Sequence, residues 1–469
     1  MQAVKRRERP GWAGEQSGRS DPGLNERGLV LLGVGGIIGA GFFLGSGLPI
    51  RTAGPAVLLA FLAGAWVTSQ VLGALTSIAV HHPDAGGYQS YPALYLGRFA
   101  GFLQGWTYYI TSILTIASES VAMAIFARLW LPGIPQVALA ALFAAVIVVI
   151  NAAGAKNFTR VETLMSAVKI AALAGFILYA IAVLVPQWIQ SAAGAPGTAV
   201  HPFSHGFWPT GFSGMMQSML VVIFAYAGIG VFSAGAAQVQ PPQRIDGAAL
   251  RTVVLLAMLY IGSIAMLLFL IPWQRVSTTQ SPFVAALSAS GTPGLAGALN
   301  ATILVAAFSV MAGALFSANE VLCSLAEAGD APGWLTRRSR GGIPYRALWV
   351  SAVGIGLSLL LSFWLPASLY NVLISASSFF TFLNWFLILW TFLAWRRHTE
   401  EDNRFTSRLA WGQPVSTVIT MVLLLVLTAY ALLQRDQRLG FYAAAAIAIA
   451  LAAAYLLAFR IRGRGRAHG

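Results

Sequence analysis

Long apolar runs separated by short polar stretches dominate this chain. Twelve runs are long enough to cross a bilayer, which takes about 20 helical residues. They cover 28–48, 56–80, 101–131, 136–153, 162–185, 212–238, 248–272, 295–326, 346–365, 369–394, 414–433 and 440–460, here spans 1 to 12. The third and eighth exceed the bilayer thickness and are expected to tilt or protrude. The pattern predicts an all-α membrane protein: residues 1–27 as a disordered cytosolic tail, 28–460 as one transmembrane domain, and 461–469 as a basic cytosolic tail.

Composition removes the soluble alternative. Of 469 residues, 57% are hydrophobic and 9% charged, and the mean hydropathy is +0.73. A single soluble core stops growing near roughly 250–300 residues, so the bilayer is the main solvent. The formal net charge of +14 would suggest nucleic acid in a soluble protein. Here the basic residues lie in short loops, where they act as orientation signals and lipid contacts, and no nucleic-acid partner is expected. With the N-terminus inside, 23 of the 29 Lys and Arg residues face the cytosol. Five face outward (Arg51, Arg128, Arg275, Arg435 and Arg438), and Lys169 lies within a span. The bias predicts a multi-pass plasma-membrane protein with both termini cytoplasmic. The first 27 residues lack the apolar core of a secretory signal. The single cysteine, Cys323, permits no internal disulfide and reads as a small core residue.

Few charges fall within the spans. More than four residues inside a span end, they are Glu119 in span 3, Lys169 in span 5 and Glu320 towards the end of span 8. An ionised group at mid-bilayer costs about 2.5–3.5 kcal/mol on insertion scales, so each is a candidate for function. Each also has a plainer reading, as a buried ion pair or as a side chain snorkelling to the interface.

Span 1 reads GLVLLGVGGIIGAGFFLGSG, with seven glycines from Gly33 to Gly47. That makes a poor continuous helix. Glycine content alone fits either close helix packing or a helix broken in mid-membrane. A break frees backbone groups that are tolerated only where they line a cavity. Freed N–H groups at a half-helix N-terminus attract a carboxylate, and freed carbonyls attract an ammonium group. Span 6 offers a second interruption in FAYAGIGVFSAGAAQ, where Phe224 and Tyr226 stand beside Gly228 and Gly230. Two interrupted spans five helices apart point to an inverted-repeat transporter.

Several motifs then agree in order. GGIIGAGFFLGSG (35–47) is followed by AGP (53–55), HPDAGGYQSY (82–91) and GRFAGFLQGWTYY (97–109). Further on come Asn151, VETLMSAVKI (161–170) and SLAEAGDAPGWLTRRSRGGIP (324–344). On these the chain resembles the amino acid permeases of the amino acid–polyamine–organocation superfamily over most of spans 1 to 10. The resemblance implies a 5+5 inverted-repeat fold, with 28–185 the first repeat, 212–394 the second, and peripheral helices 11 and 12 at 414–460. It implies that the substrate carboxylate meets N–H groups near Gly39, Ala40 and Gly41. The amine would meet carbonyls near Ile37, Ile38 and Phe224, Phe224 and Tyr226 would act as an aromatic gate or side-chain wall, and Gly228 would belong to the substrate site. It also implies that the Lys169 ammonium takes a cation's place between spans 1, 5 and 8, with Ser309 as a hydrogen-bond acceptor. Glu119 matches an acid common in span 3 of such permeases. Four positions depart from the family pattern: acids are replaced by Ser77, Gly230 and Gln238, and an arginine by Glu320.

The leading expectation is import of amino acids by proton symport, with coupling through Lys169, Glu119 and Ser309, no bound cofactor, and a monomer or homodimer in the bilayer. Exchange of two amino acids, or of an amino acid and an amine, is the alternative. A membrane enzyme would need a nucleophile with a base, or a metal cluster, at mid-depth. All six histidines (His81, His82, His201, His205, His398 and His468) fall in loops or tails by this topology. A receptor would lack the paired breaks.

Overall fold

A computed structural model describes residues 25–82, 87–154, 158–192, 200–236, 239–339, 342–361, 369–399 and 405–466. The N-terminal tail up to residue 24, Ala237, Gln238 and the last residues of the basic tail lie outside the described residues. The described chain is helical throughout.

Span 1 is three pieces: α1 (Glu26–Ile37), α2 (Ala40–Phe43) and α3 (Gly47–Ala53). α1 starts where the Asn25 side chain accepts the Gly28 N–H at 2.8 Å, filling one of the donors that every helix start leaves open. It stops at Ile38 and Gly39, both in extended conformation. Span 2 is α4 (Val57–His81), and a short α5 (Gly87–Tyr95) precedes span 3, α6 (Arg98–Ala127). Spans 4 and 5 are α7 (Gln136–Ala153) and α8 (Phe158–Ala192). Span 6 is split into α9 (Gly211–Ala225) and α10 (Ile229–Ala236). Span 7 is α11 (Arg244–Leu270), and a short α12 (Pro282–Ala289) precedes span 8, α13 (Pro293–Glu327). Spans 9 to 12 are α14 (Tyr345–Leu360), α15 (Leu369–His398), α16 (Val415–Leu433) and α17 (Arg435–Arg466).

Ten helical stretches among the described residues are long and apolar enough to cross a membrane. One, Ala40–His81, holds the second part of span 1 together with span 2, and α14 is a shorter apolar helix. The twelve expected spans are thus all present. Their bounds differ from the sequence reading: α8 and α17 run several residues beyond both ends, and α6 is shifted towards the N-terminus. Hydropathy marks where a helix meets hydrocarbon, and the helices continue past that depth.

Two correspondences relate the halves. The first span of each is broken, and each has a short helix between its second and third spans, α5 in one and α12 in the other. α6 and α15 are largely buried, whereas α7 and the outer part of α17 turn most of their surface outward. Buried polar residues face inward from several helices: Glu119 of α6, Lys169 of α8, Ser309 of α13, and Ser377 and Asn384 of α15 are all nearly inaccessible.

Candidate functional site

The break in span 1 is held by side chains from two other spans. Glu119 of α6 accepts the Ala40 N–H at 2.9 Å and the Gly41 N–H at 3.0 Å. These N–H groups open α2, so they have no carbonyl one turn back. They are two of the groups that the family resemblance assigns to a substrate carboxylate. In this conformation an internal carboxylate occupies them. Glycine at 39 and 41 makes the approach feasible: a Cβ on Gly39 would lie 2.7 Å from Glu119 Oε1, and one on Gly41 2.7 Å from Phe224 Cε1.

On the other side of the break, Lys169 of α8 is fully buried and does not snorkel. Its Nζ donates to the Gly35 carbonyl at 2.6 Å and to Ser309 Oγ at 2.7 Å. Ser309 of α13 in turn donates to Glu162 Oε1 at 2.6 Å. A Cβ on Gly35 would stand 2.6 Å from Glu162 Oε1 and would collide with Ser166, so only glycine lets α1 approach α8 this closely. Sequence reasoning passed over Glu162 because it stands at the edge of its hydrophobic run. The available signal was spacing: seven residues, about two turns, separate it from Lys169 on the same helix face.

Gly228 opens the second break, with φ of +113° and its Cα against the Gly36 carbonyl of span 1. Adjoining backbone takes up three N–H groups around this break. The Tyr226 N–H reaches the Ile223 carbonyl at 3.1 Å, the Ala227 N–H the Phe224 carbonyl at 3.0 Å, and the Val231 N–H the Gly228 carbonyl at 3.0 Å.

Between the breaks lies a narrow cavity of about 60 Å³, lined among others by Ile37, Gly39, Gly41, Glu119, Phe224 and Gly228. That is room for a few waters and far below the several hundred Å³ typical of ligand sites. The site is therefore collapsed. Beyond Glu119, Phe224 packs with Leu48, Val221, Tyr370 and Ile374 and closes one end. Towards the N-terminal end of α6, Tyr88 of α5 packs on Tyr108 of α6, with ring centroids 4.5 Å apart.

Other residues singled out in the sequence take these places. Tyr226 is not part of the cavity wall: its hydroxyl donates to the Phe61 carbonyl at 3.1 Å, and its ring packs beside Phe61 and Tyr260. The residue two positions along from Phe224 in a helix points elsewhere, because neighbours on one face stand three or four apart. The Ile38 side chain is buried, which leaves its backbone carbonyl as the candidate group, and the Ala40 N–H is on the Glu119 carboxylate. Glu320 is a partly exposed partner of Arg338, with contacts of 2.9 and 2.8 Å. Gly230 has a steric reason for lacking a side chain, since an added Cβ would strike the Tyr108 ring and hydroxyl. Ser77 accepts the Ser407 N–H at 3.0 Å, tying α4 to the segment before α16.

A helical bundle interrupted twice in mid-membrane, with a collapsed cavity between the interruptions, is the build of a secondary transporter. The chain belongs to the amino acid permease family, whose profile matches residues 28–464. It is 30% identical over 433 residues to the aromatic amino acid transport protein AroP of Escherichia coli strain K12, covering 92% of this chain and 93% of that one. It is also 30% identical over 431 residues to AroP of Corynebacterium glutamicum, covering 90% and 92%. Among solved structures, a manganese transporter of Eremococcus coleocola has the same fold, with a TM-score of 0.59 at 14% identity over 92% of this chain and 93% of that one.

Proposed function

We propose that this permease imports an α-amino acid across the plasma membrane by proton symport, with both termini on the cytosolic side. One observation carries the reading: the Ala40 and Gly41 N–H groups already bind a carboxylate, that of Glu119. Groups that hold one carboxylate in this way suit another. Two anions do not share the same pair of donors without a large repulsive cost, so Glu119 must leave or be neutralised as substrate arrives.

Charge balance supports the same step. Around the span 1 break the buried charges are Glu119, Glu162 and Lys169, two acids and one base, and a single proton on one carboxyl makes the group neutral. Uncompensated charge is costly at this depth. A proton taken up by Glu119 frees the N–H pair, the substrate carboxylate replaces it there, and the substrate amine turns to carbonyls near Ile37, Ile38 and Phe224. Lys169, linked through Ser309 to Glu162 and directly to α1, holds spans 1, 5 and 8 together in this state. Its movement accompanies the opening of the bundle.

The test is uptake by the purified protein in proteoliposomes across a range of external pH. Glu119→Gln keeps the shape but cannot alternate between charge states. The variant is expected to exchange substrate while losing the rise in uptake as external pH falls. A pH profile identical to that of the unsubstituted protein would sink this role.

A further inference from the structure

The part of the cavity lined by α6 and α15 carries a cluster of hydroxyls and an amide. Flanked by the rings of Tyr108 and Trp385, Thr111, Ser112 and Thr115 of α6 line it together with Thr381 and Asn384 of α15. Their spacing of three and four residues puts each set on a single stripe. Three of the hydroxyls already donate to their own helices. Thr111 Oγ1 donates to the Thr107 carbonyl at 2.7 Å, Ser112 Oγ to the Tyr108 carbonyl at 3.0 Å, and Thr381 Oγ1 to the Ser377 carbonyl at 2.9 Å. A hydroxyl has one proton and two lone pairs, so each of these has only acceptor capacity left for the cavity. Asn384 accepts the Thr107 hydroxyl at 2.7 Å and has its amide N–H₂ 3.5 Å from Thr111 Oγ1, a weak bond it can exchange for a better one.

We infer that the substrate carries an uncharged side chain with a hydroxyl or carboxamide, the class of serine, threonine, asparagine and glutamine. This rests on the reading of the site as an amino acid site. The wall supplies acceptors for a side-chain O–H or N–H and one amide donor for its oxygen. An aromatic or branched apolar side chain would meet the rings of Tyr108, Trp385 and Phe224 but would leave these acceptors and the Asn384 amide without partners. Sites lined with polar groups discriminate strongly against analogues that leave them unpaired. An acidic side chain would find no cation, since no lysine or arginine lines the cavity. A basic one would find only Glu119, whose oxygens are engaged by backbone N–H groups. The inference separates this chain from the relatives named for aromatic amino acids. At 30% identity the fold is shared while the side-chain wall is free to differ.

The experiment measures uptake of radiolabelled serine, threonine, asparagine, glutamine, phenylalanine, leucine, aspartate and arginine by the full chain in proteoliposomes with an inward proton gradient. At least one of the first four should be preferred roughly tenfold or more over phenylalanine and leucine. The double variant Thr111→Val, Ser112→Ala keeps volume and removes the acceptors, and should shift the preference towards apolar amino acids. Thermal stabilisation of the unsubstituted protein by each of the twenty amino acids gives the same ranking without relying on the variant. Saturable uptake of phenylalanine or leucine equal to that of the polar set would overturn this inference and leave the amino acid reading standing. Absence of uptake and of stabilisation for all twenty would overturn both.

Discussion

The two broken spans share a sequence signal and differ in how the break is closed. In span 6 three N–H groups bond adjoining carbonyls and Tyr260 donates its hydroxyl to the Ala225 carbonyl at 3.0 Å, with no acidic or basic side chain docked on the break among the described residues. Tyr226 then locks the turn against α4. In span 1 the freed N–H groups and the Gly35 carbonyl are bound by ionisable side chains brought from α6 and α8. The first kind of closure is indifferent to protons. The second changes whenever Glu119 or Lys169 changes its charge or moves. A glycine-rich interruption is therefore a place where a helix can part, and the side chains that dock on it decide whether the parting responds to chemistry.

The comparison breaks most severely at Gly41. Replacing it with leucine drives a side chain into the Phe224 ring and the space beside Glu119. Uptake should fall to background, while membrane insertion and a monodisperse elution profile persist. Normal uptake by Gly41→Leu would mean that span 1 does not hold the substrate.

A smaller and more selective effect is expected at Lys169. Lys169→Ala removes the donor shared by Gly35 and Ser309, leaving a buried carbonyl and hydroxyl unsatisfied at about 1–3 kcal/mol each. Proton-driven accumulation should disappear, with counterflow of substrate between loaded vesicles retained at a reduced rate. Uptake by the unsubstituted protein should be the same in sodium and potassium media, because the ammonium already supplies the positive charge between spans 1, 5 and 8. A sodium requirement, or full accumulation by the alanine variant, would remove Lys169 from the coupling step.

How much of this was legible beforehand depends on the kind of signal. The breaks were visible because glycine runs and paired spacing are one-dimensional. The depth of Glu119 and Lys169 was visible because a charge in an apolar run stands out. The role of Glu162 was not, because a carboxylate at the edge of a span looks solvated until α1 and α13 cover it. The short helices α5 and α12 were hidden in loops that hydropathy does not resolve. The wall of Thr111, Ser112 and Asn384 was also invisible, since hydroxyl residues are tolerated throughout transmembrane helices, where they bond back to their own carbonyls. Facing was the point at which reasoning from adjacency failed. Phe224 and Tyr226 both stand beside the second break in sequence, yet only Phe224 reaches the cavity.

That last difference gives the finest test, because it separates two aromatic residues two positions apart. Phe224 lines the cavity and packs with Leu48, Val221, Tyr370 and Ile374 at its closed end. Phe224→Ala should widen that end and remove apolar contact to the substrate. Burial of a phenyl side chain is worth about 1.5–3 kcal/mol, so the apparent transport constant should rise roughly tenfold or more. Tyr226→Phe does something else. It leaves the ring beside Phe61 and Tyr260 and deletes one hydrogen bond, to the Phe61 carbonyl. The cost is about 0.5–1.5 kcal/mol of stability, readable as a modest drop in melting temperature. Its transport constant and its ranking of amino acids should match those of the unsubstituted protein. If Tyr226→Phe altered selectivity while Phe224→Ala did not, the assignment of cavity and packing would be reversed, and the second break would carry the chemistry that we place at the first.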